Sequence, residues 1–115
     1  MLFDERYAKL NAGQKMAVDE IDGPVLVVAG PGTGKTEILT LRIGNILQKT
    51  DARPENILAL TFTDAAASNM RKRLATLIGS PAYRVAIETF HSFCNNVIQN
   101  YPEYFEKIVG AGNIT

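Results

Sequence analysis

The chain has 115 residues, of which 46% are hydrophobic and 21% charged, so it can hold about one small globular domain. Twelve basic residues balance twelve acidic ones, so the net charge alone neither indicates nor excludes a polyanionic partner. The single cysteine excludes an internal disulfide, and no apolar stretch approaches the ~20 residues of a membrane span, which predicts a soluble cytoplasmic protein.

The first half of the chain alternates a helix, a strand and a second helix. The first helix is predicted to begin near Asn11, a favourable N-cap residue. Residues 23–30 have the sequence GPVLVVAG, a continuously apolar run that is typical of a strand buried on both faces of a parallel sheet. A helix is predicted over residues 34–49, with an apolar face formed by Leu39, Ile43, Ile46 and Leu47.

A second strand and helix follow the same order. Residues 57–62, with the sequence ILALTF, form the second predicted strand. Asp64 is expected to cap a helix that ends at Gly79. The apolar stripe of this helix comprises Ala67, Met70, Leu74, Leu77 and Ile78.

A third strand is predicted at residues 84–88, followed by a helix over residues 89–101 in which Cys94 is a small buried residue. Strands that alternate with helices pair in parallel, which predicts an α/β layered fold. Three strands leave sheet faces and edges uncovered, so we expect the domain to be incomplete in this chain and prone to self-association.

Residues 29–36, with the sequence AGPGTGKT, have the composition of a phosphate-binding loop between a strand and a helix. Three glycines allow the loop to curl with its N–H groups pointing inward, and the helix N-terminus adds its positive dipole end. Lys35 is predicted to reach the β- and γ-phosphates of ATP, and the Thr36 hydroxyl to ligate Mg²⁺. The predicted loop residues are Ala29, Gly30, Pro31, Gly32, Thr33, Gly34, Lys35 and Thr36.

Ala29 occupies the first position of the loop, where glycine is usual. This position closes the strand end and lies furthest from the phosphates, so a methyl group there needs only slightly more room. The phosphate-binding site is therefore predicted to be intact.

Four stretches share one register: residues 10–18 (LNAGQKMAV), 29–36, 57–74 (ILALTFTDAAASNMRKRL) and 89–94 (TFHSFC). In order and spacing they closely resemble the glutamine motif, the Walker A loop and motifs Ia and Ib of UvrD/Rep-type superfamily 1 DNA helicases. The resemblance implies an ATP-dependent 3′→5′ translocase on single-stranded DNA with a P-loop NTPase (RecA-like) three-layer fold. Residues 1–115 would then be the N-terminal part of its ATP-binding domain, without the remainder of the helicase chain.

The resemblance also implies roles for particular residues. Gln14 matches the glutamine whose amide reads the adenine edge. The residues that match DNA-contacting segments are Thr61, Phe62, Thr63, Thr89 and His91. Hydroxyl groups suit phosphate contacts and an aromatic ring offers a sequence-independent stacking face, although periodicity alone would favour Phe62 as a core residue. The basic run Arg71, Lys72 and Arg73 follows on a helix, where phosphate contact and a solvated face remain alternatives.

Two positions depart from the pattern of the family. Glu37 stands in the nucleotide site where the family usually has arginine, so it is expected to repel a triphosphate in part. Asp64 and Ala65 replace an asparagine and a lysine that are common in motif Ia, which predicts a lower DNA affinity for this segment.

The chain offers no clear carboxylate for orienting the attacking water and no assigned transition-state arginine, both of which hydrolysis requires. We therefore expect it to bind Mg-ATP and single-stranded DNA without hydrolysing ATP or unwinding DNA alone. One alternative is a self-contained small phosphotransferase or ATPase that uses Glu88 at the end of the third predicted strand. Another is a non-catalytic nucleotide-binding module that serves as a scaffold.

Overall fold

A computed structural model describes residues 2–26 and 34–105 of the chain. Within these residues the chain forms, in order, α1 (Leu2–Ala8), α2 (Ala12–Asp19), α3 (Lys35–Lys49), β1 (Leu58–Thr61), α4 (Asp64–Ile78), β2 (Ala86–Thr89) and α5 (Phe90–Asn100). Short 3₁₀ turns lie at Pro54–Asn56, Ser80–Arg84 and Pro102–Tyr104. The succession of strands and helices agrees with the predicted α/β class.

The described strands form one parallel pair. Leu58 lies opposite Ala86, and Thr61 lies opposite Thr89, so the two strands end in register. The helix α4 connects them. Because the carboxyl ends of parallel strands share one edge, the residues that follow Thr61 and Thr89 are brought together there.

The predicted first strand covers residues 23–30, of which residues 27–30 lie outside the described residues, as do the loop residues Ala29, Gly30, Pro31, Gly32 and Thr33. Residues 24–26 are described and have no regular secondary structure, and Leu26 is exposed. The prediction of this strand therefore stays a prediction for residues 27–30.

Two hydrophobic clusters hold the helices together. One cluster joins α3 and α4 to the sheet through Ile43, Met70, Leu74, Ala82, Val85 and Ile87. The other packs α1 and α2 against α3 through Ala17, Val18, Ile38 and Leu41, with Phe3, Tyr7, Leu10 and Leu77 at its margin. The apolar stripe predicted for α4 is confirmed, since Met70 and Leu74 are buried and its other members pack at the cluster margins.

The predicted buried face of α3 is wrong at Leu39, whose side chain is exposed. The helix is covered on two sides, by α1 and α2 at Ile38 and Leu41 and by α4 at Ile43. Leu39 lies outside both contacts. The prediction of one apolar stripe fails there because neighbouring helices pack against α3 from two directions.

Local capping signals account for most helix ends. Asn11 caps α2 as predicted, and Gly79 ends α4 with a φ of 78°, in the left-handed region that favours glycine. The prediction that Asp64 caps α4 is wrong, because Asp64 is the first residue of the helix. Thr63 is the cap instead, because its backbone is extended and its hydroxyl accepts a hydrogen bond from the amide of Ala66 at 3.0 Å.

The helix α5 follows β2 directly and ends before Pro102, as predicted. None of its residues is buried, and Cys94 is exposed, so the prediction of a buried cysteine is wrong. Among the described elements, α5 mainly contacts β1, β2 and the 3₁₀ turn at Pro102–Tyr104, and these contacts leave each of its residues at least partly exposed. Among the described residues, no helix is long and apolar enough to cross a membrane.

Candidate functional site

The first candidate site lies where α3 begins. Gly34 precedes the helix with a φ of 76°, a left-handed conformation that other residues adopt only with strain. Lys35 is exposed and Thr36 is half-buried in the first turn. The carbonyl oxygen of Thr36 accepts a hydrogen bond from the Thr40 hydroxyl at 2.7 Å, which holds the backbone of this turn. In the described part, Gly34 leads into a helix N-terminus that has no side-chain cap.

Gln14 lies beside this junction. Its side-chain Oε1 atom accepts a hydrogen bond from the backbone N–H of Asn11, and its backbone N–H donates to Oδ1 of Asn11, each at 2.9 Å. This reciprocal capping box fixes the position of the side chain on α2. A Cβ atom built on Gly34 would lie 3.7 Å from the Gln14 Nε2 atom. Two predicted motifs that are well separated in sequence therefore meet at the start of α3.

Glu37 is paired with a residue that the sequence reasoning missed. The Arg6 Nε atom donates to Oε2 of Glu37 at 2.7 Å, and the Arg6 Nη2 atom donates to Oε1. The Nη1 atom of Arg73 lies 3.7 Å from the same Oε1 atom. No local pattern marks Arg6 as a partner, because it lies on α1, far from Glu37 in sequence.

The ion pair sets the charge state of this part of the site. Hydrogen bonding from Arg6 lowers the pKa of Glu37, and the positive charges of Arg6, Arg73 and Lys9 act in the same direction against the effect of burial. The same hydrogen bond raises the pKa of Arg6. Glu37 is therefore ionised and paired, so the repulsion of phosphates predicted from its charge is offset.

The pairing of Glu37 predicts a pH-dependent contribution to stability. Because folding lowers the pKa of Glu37, the contribution is present at pH values above its ordinary value of about 4.5 and is lost as the pH falls through the lowered pKa. We expect Glu37→Gln to lower the free energy of unfolding by about 1 kcal/mol at pH 7 and by less at pH 3. Thermal unfolding followed by circular dichroism across this range measures the difference, and a constant difference would contradict the prediction.

The second candidate site is an aromatic edge, formed by Phe62 directly after β1 and Phe90 directly after β2. Their ring centroids are 5.1 Å apart with an interplanar angle of 35°. The exposed fraction is 89% for Phe62 and 43% for Phe90, so the core position that periodicity favours for Phe62 is wrong. Phe90 was not predicted from the sequence. Its position directly after the third predicted strand, equivalent to that of Phe62 after the second, is a sequence signal that would have indicated it.

The threonines beside the aromatic edge are engaged with the backbone. The Thr61 hydroxyl donates to the carbonyl oxygen of Thr63 at 3.2 Å, and the Thr89 hydroxyl accepts from the Ser92 amide at 3.0 Å. Thr61 and Thr89 are buried, whereas Thr63 and His91 are exposed. The structure thus brings all five predicted DNA-contacting residues to one edge, with Phe62, Thr63 and His91 open to a ligand.

The basic run on α4 serves different purposes at each position. Arg71 donates to the carbonyl oxygens of Ala82 at 2.8 Å and Val85 at 3.1 Å, so it ties α4 to the turn before β2. Lys72 is exposed, in keeping with a solvated helix face, and Arg73 faces Glu37.

Glu88 has a partner on the following helix. Its Oε1 atom accepts a hydrogen bond from the Asn96 side chain at 3.1 Å. Within residues 2–26 and 34–105, no group of three or more His, Cys, Asp or Glu residues is placed to hold a metal ion. The Glu88 carboxylate is therefore engaged with α5.

The order of the motifs and the partial α/β fold are compatible with a helicase N-terminal segment. The model of the UvrD/REP helicase N-terminal domain matches residues 10–111, and the chain belongs to this family. The chain is 48% identical to DNA helicase II of Rickettsia typhi over 94 residues, which cover 82% of the chain and 14% of that protein. It is 43% identical over 90 residues to the ATP-dependent DNA helicase PcrA of Staphylococcus epidermidis, covering 78% of the chain. The chain therefore spans 12–14% of the length of these relatives.

Proposed function

We propose that the chain is the ATP-binding and single-stranded-DNA-contacting N-terminal segment of an ATP-dependent 3′→5′ DNA helicase or translocase. The position of Gln14 beside Gly34 carries the proposal, because it joins a nucleobase-reading amide to the start of the phosphate-binding helix. The family match and the relatives named as DNA helicases support it. In this proposal the domain has a RecA-like fold, completed by parts of the parent chain that follow.

The described residues at the nucleotide site fit Mg-ATP. Gly34 leaves space beside Gln14 that a side chain would fill, and Lys35 is exposed at the helix N-terminus. Lys35 would bind the phosphate oxygens, and the Thr36 hydroxyl would hold Mg²⁺, which favours oxygen ligands. Bound Mg²⁺ would neutralise part of the phosphate charge. Ala29, Gly30, Pro31, Gly32 and Thr33 belong to the same proposed site but lie outside the described residues.

The proposed DNA contact is the aromatic edge. Two exposed rings at the end of a parallel sheet offer faces on which successive bases can stack without sequence preference. Thr63 and His91 are exposed beside these rings and would contact the sugar-phosphate backbone, whereas the buried Thr61 and Thr89 would hold the edge in place through their hydrogen bonds to the backbone. Phe90 joins this proposed set because its ring lies beside that of Phe62.

Phe62→Ala is expected to weaken binding of oligo-dT by about tenfold, because it removes the more exposed of the two stacking faces. The affinity is measured by the fluorescence anisotropy of a labelled oligo-dT at fixed salt concentration. Tyr83→Ala is the matched control, since Tyr83 is an exposed aromatic residue in the turn before β2. Equal effects of the two substitutions would contradict the assignment of the aromatic edge.

The proposed function as a whole is tested by calorimetry and phosphate release on the purified chain. We expect Mg²⁺-dependent ATP binding without turnover, with or without oligo-dT, because Glu37 is paired with Arg6 and Glu88 with Asn96, so neither carboxylate is poised to orient the attacking water. Robust turnover that Glu88→Gln abolishes would replace the proposal with a self-contained ATPase. If the folded chain binds no nucleotide, the proposed function is wrong and a scaffold role is the remaining alternative.

A further inference from the structure

Charges from three helices converge on the first turn of α3. Glu37 belongs to this turn and lies two positions after Lys35, while Arg6 comes from α1 and Arg73 from α4. A phosphate-binding helix attracts its ligand through the positive partial charge at its N-terminus. A carboxylate in the first turn reduces this positive potential. An unpaired Glu37 would therefore oppose the binding of a nucleotide at Lys35 and Thr36.

We propose that Arg6 is a positioning residue of the nucleotide site, which pairs with Glu37 and thereby preserves the positive potential at the start of α3. This inference rests on the proposed function, in which Lys35 and Thr36 bind Mg-ATP. With Arg6 in place, the charges of Arg6 and Glu37 cancel and the charge of Lys35 remains for the phosphates. Without Arg6, the charge of Glu37 cancels that of Lys35 instead.

The geometry of the pair suits this role. The Nε and Nη2 atoms of Arg6 each donate to one carboxylate oxygen, so the fork orients the Glu37 side chain as well as neutralising it. The side chains of Arg6 and Glu37 are only 16% and 23% exposed, which limits solvent screening of the pair. Arg73 is 47% exposed and lies 3.7 Å from Glu37, so it is a weaker partner that cannot replace the bidentate contact.

The helix that carries Arg6 is anchored independently of the ion pair. The Tyr7 hydroxyl donates to both carboxylate oxygens of Asp19 at 2.8–2.9 Å, which ties α1 to the end of α2. The Phe3 ring packs over Gly44, where an added Cβ atom would lie 3.5 Å from Phe3 Cδ2. Because these contacts hold α1 against α2 and α3, removing the guanidinium alone should leave the helix in place and expose the charge of Glu37.

The test compares the nucleotide affinities of Arg6→Ala, of Arg6→Ala combined with Glu37→Gln, and of the control Arg84→Ala. We expect Arg6→Ala to weaken Mg-ATP binding by about tenfold, and to weaken Mg-ADP binding less, because Mg-ADP carries less negative charge than Mg-ATP and is repelled less by Glu37. Adding Glu37→Gln should restore the Mg-ATP affinity to within about twofold, since the charge that Arg6 neutralises is then gone. Arg84 is an exposed arginine 3.8 Å from Glu55, so its removal should leave the affinity unchanged.

The outcomes separate a failure of the role of Arg6 from a failure of the proposed function. If Lys35→Ala abolishes nucleotide binding but Arg6→Ala has no effect, the role of Arg6 is wrong and the nucleotide site stands. A loss in Arg6→Ala that Glu37→Gln does not rescue would also overturn the role, because Arg6 would then act on the fold or directly on the nucleotide. A wild-type chain that binds no nucleotide overturns the proposed function and this inference together. Circular dichroism monitors folding, and Arg6→Gln, which keeps much of the aliphatic stem, replaces Arg6→Ala if that variant does not fold.

Discussion

Lys35→Ala is expected to weaken Mg-ATP binding by the chain by at least about 100-fold. Lys35 is the only positive side chain in the first turn of α3, and its removal also removes the proposed charge-assisted contact with the phosphates. Lys35 is exposed, so its truncation should not disturb the packing of the helix. The free energy of unfolding is therefore expected to stay close to that of the wild type. Calorimetric titration with Mg-ATP measures the affinity.

A matched control for Lys35 stands at the other end of the same helix. Lys49 is also an exposed lysine, in the last turn of α3, where its charge is remote from the phosphates. Lys49→Ala should leave the Mg-ATP affinity within about twofold of the wild type. If the two substitutions have the same effect, Lys35 does not bind the phosphates and the assignment of the loop is wrong.

Local signals in the sequence predict the ends of several elements. The capping residue Asn11 and the terminal Gly79 each act through backbone atoms within a few residues, so their effects are visible in the sequence. The helix α1 was not predicted, because its seven residues have little helical stability alone and depend on the packing of Phe3 and Tyr7 against α3.

The candidate sites show the same division between local and tertiary effects. The residues Gln14, Lys35 and Thr36 belong to short motifs, so the sequence identifies them and the structure brings Gln14 to the start of α3. The pairing of Arg6 with Glu37 depends on how α1 packs, and no spacing rule predicts it. The exposure of Phe62 depends on its position just past the end of β1, where the alternation of buried and exposed residues no longer applies.

The helix α4 connects the two candidate sites. Its N-cap residue Thr63 is next to the aromatic edge, and Arg73 on the helix lies beside Glu37 at the candidate nucleotide site. Arg71 fastens the middle of α4 to the turn before β2 through two carbonyl oxygens. The position of α4 therefore determines the geometry of both sites, and the packing of its buried face should have the largest effect on stability.

Leu74→Ala is expected to lower the free energy of unfolding by about 3–5 kcal/mol, since the side chain is fully buried between α3, α4 and the sheet and its removal leaves a cavity. A small domain has roughly 5–15 kcal/mol in total, so the loss should be a large part of the stability of the chain. Leu39→Ala is the matched control, because the same truncation at a side chain that is 45% exposed should cost less than about 1 kcal/mol. Urea unfolding followed by circular dichroism measures both, and similar midpoints for the two variants would show that α4 does not pack through Leu74.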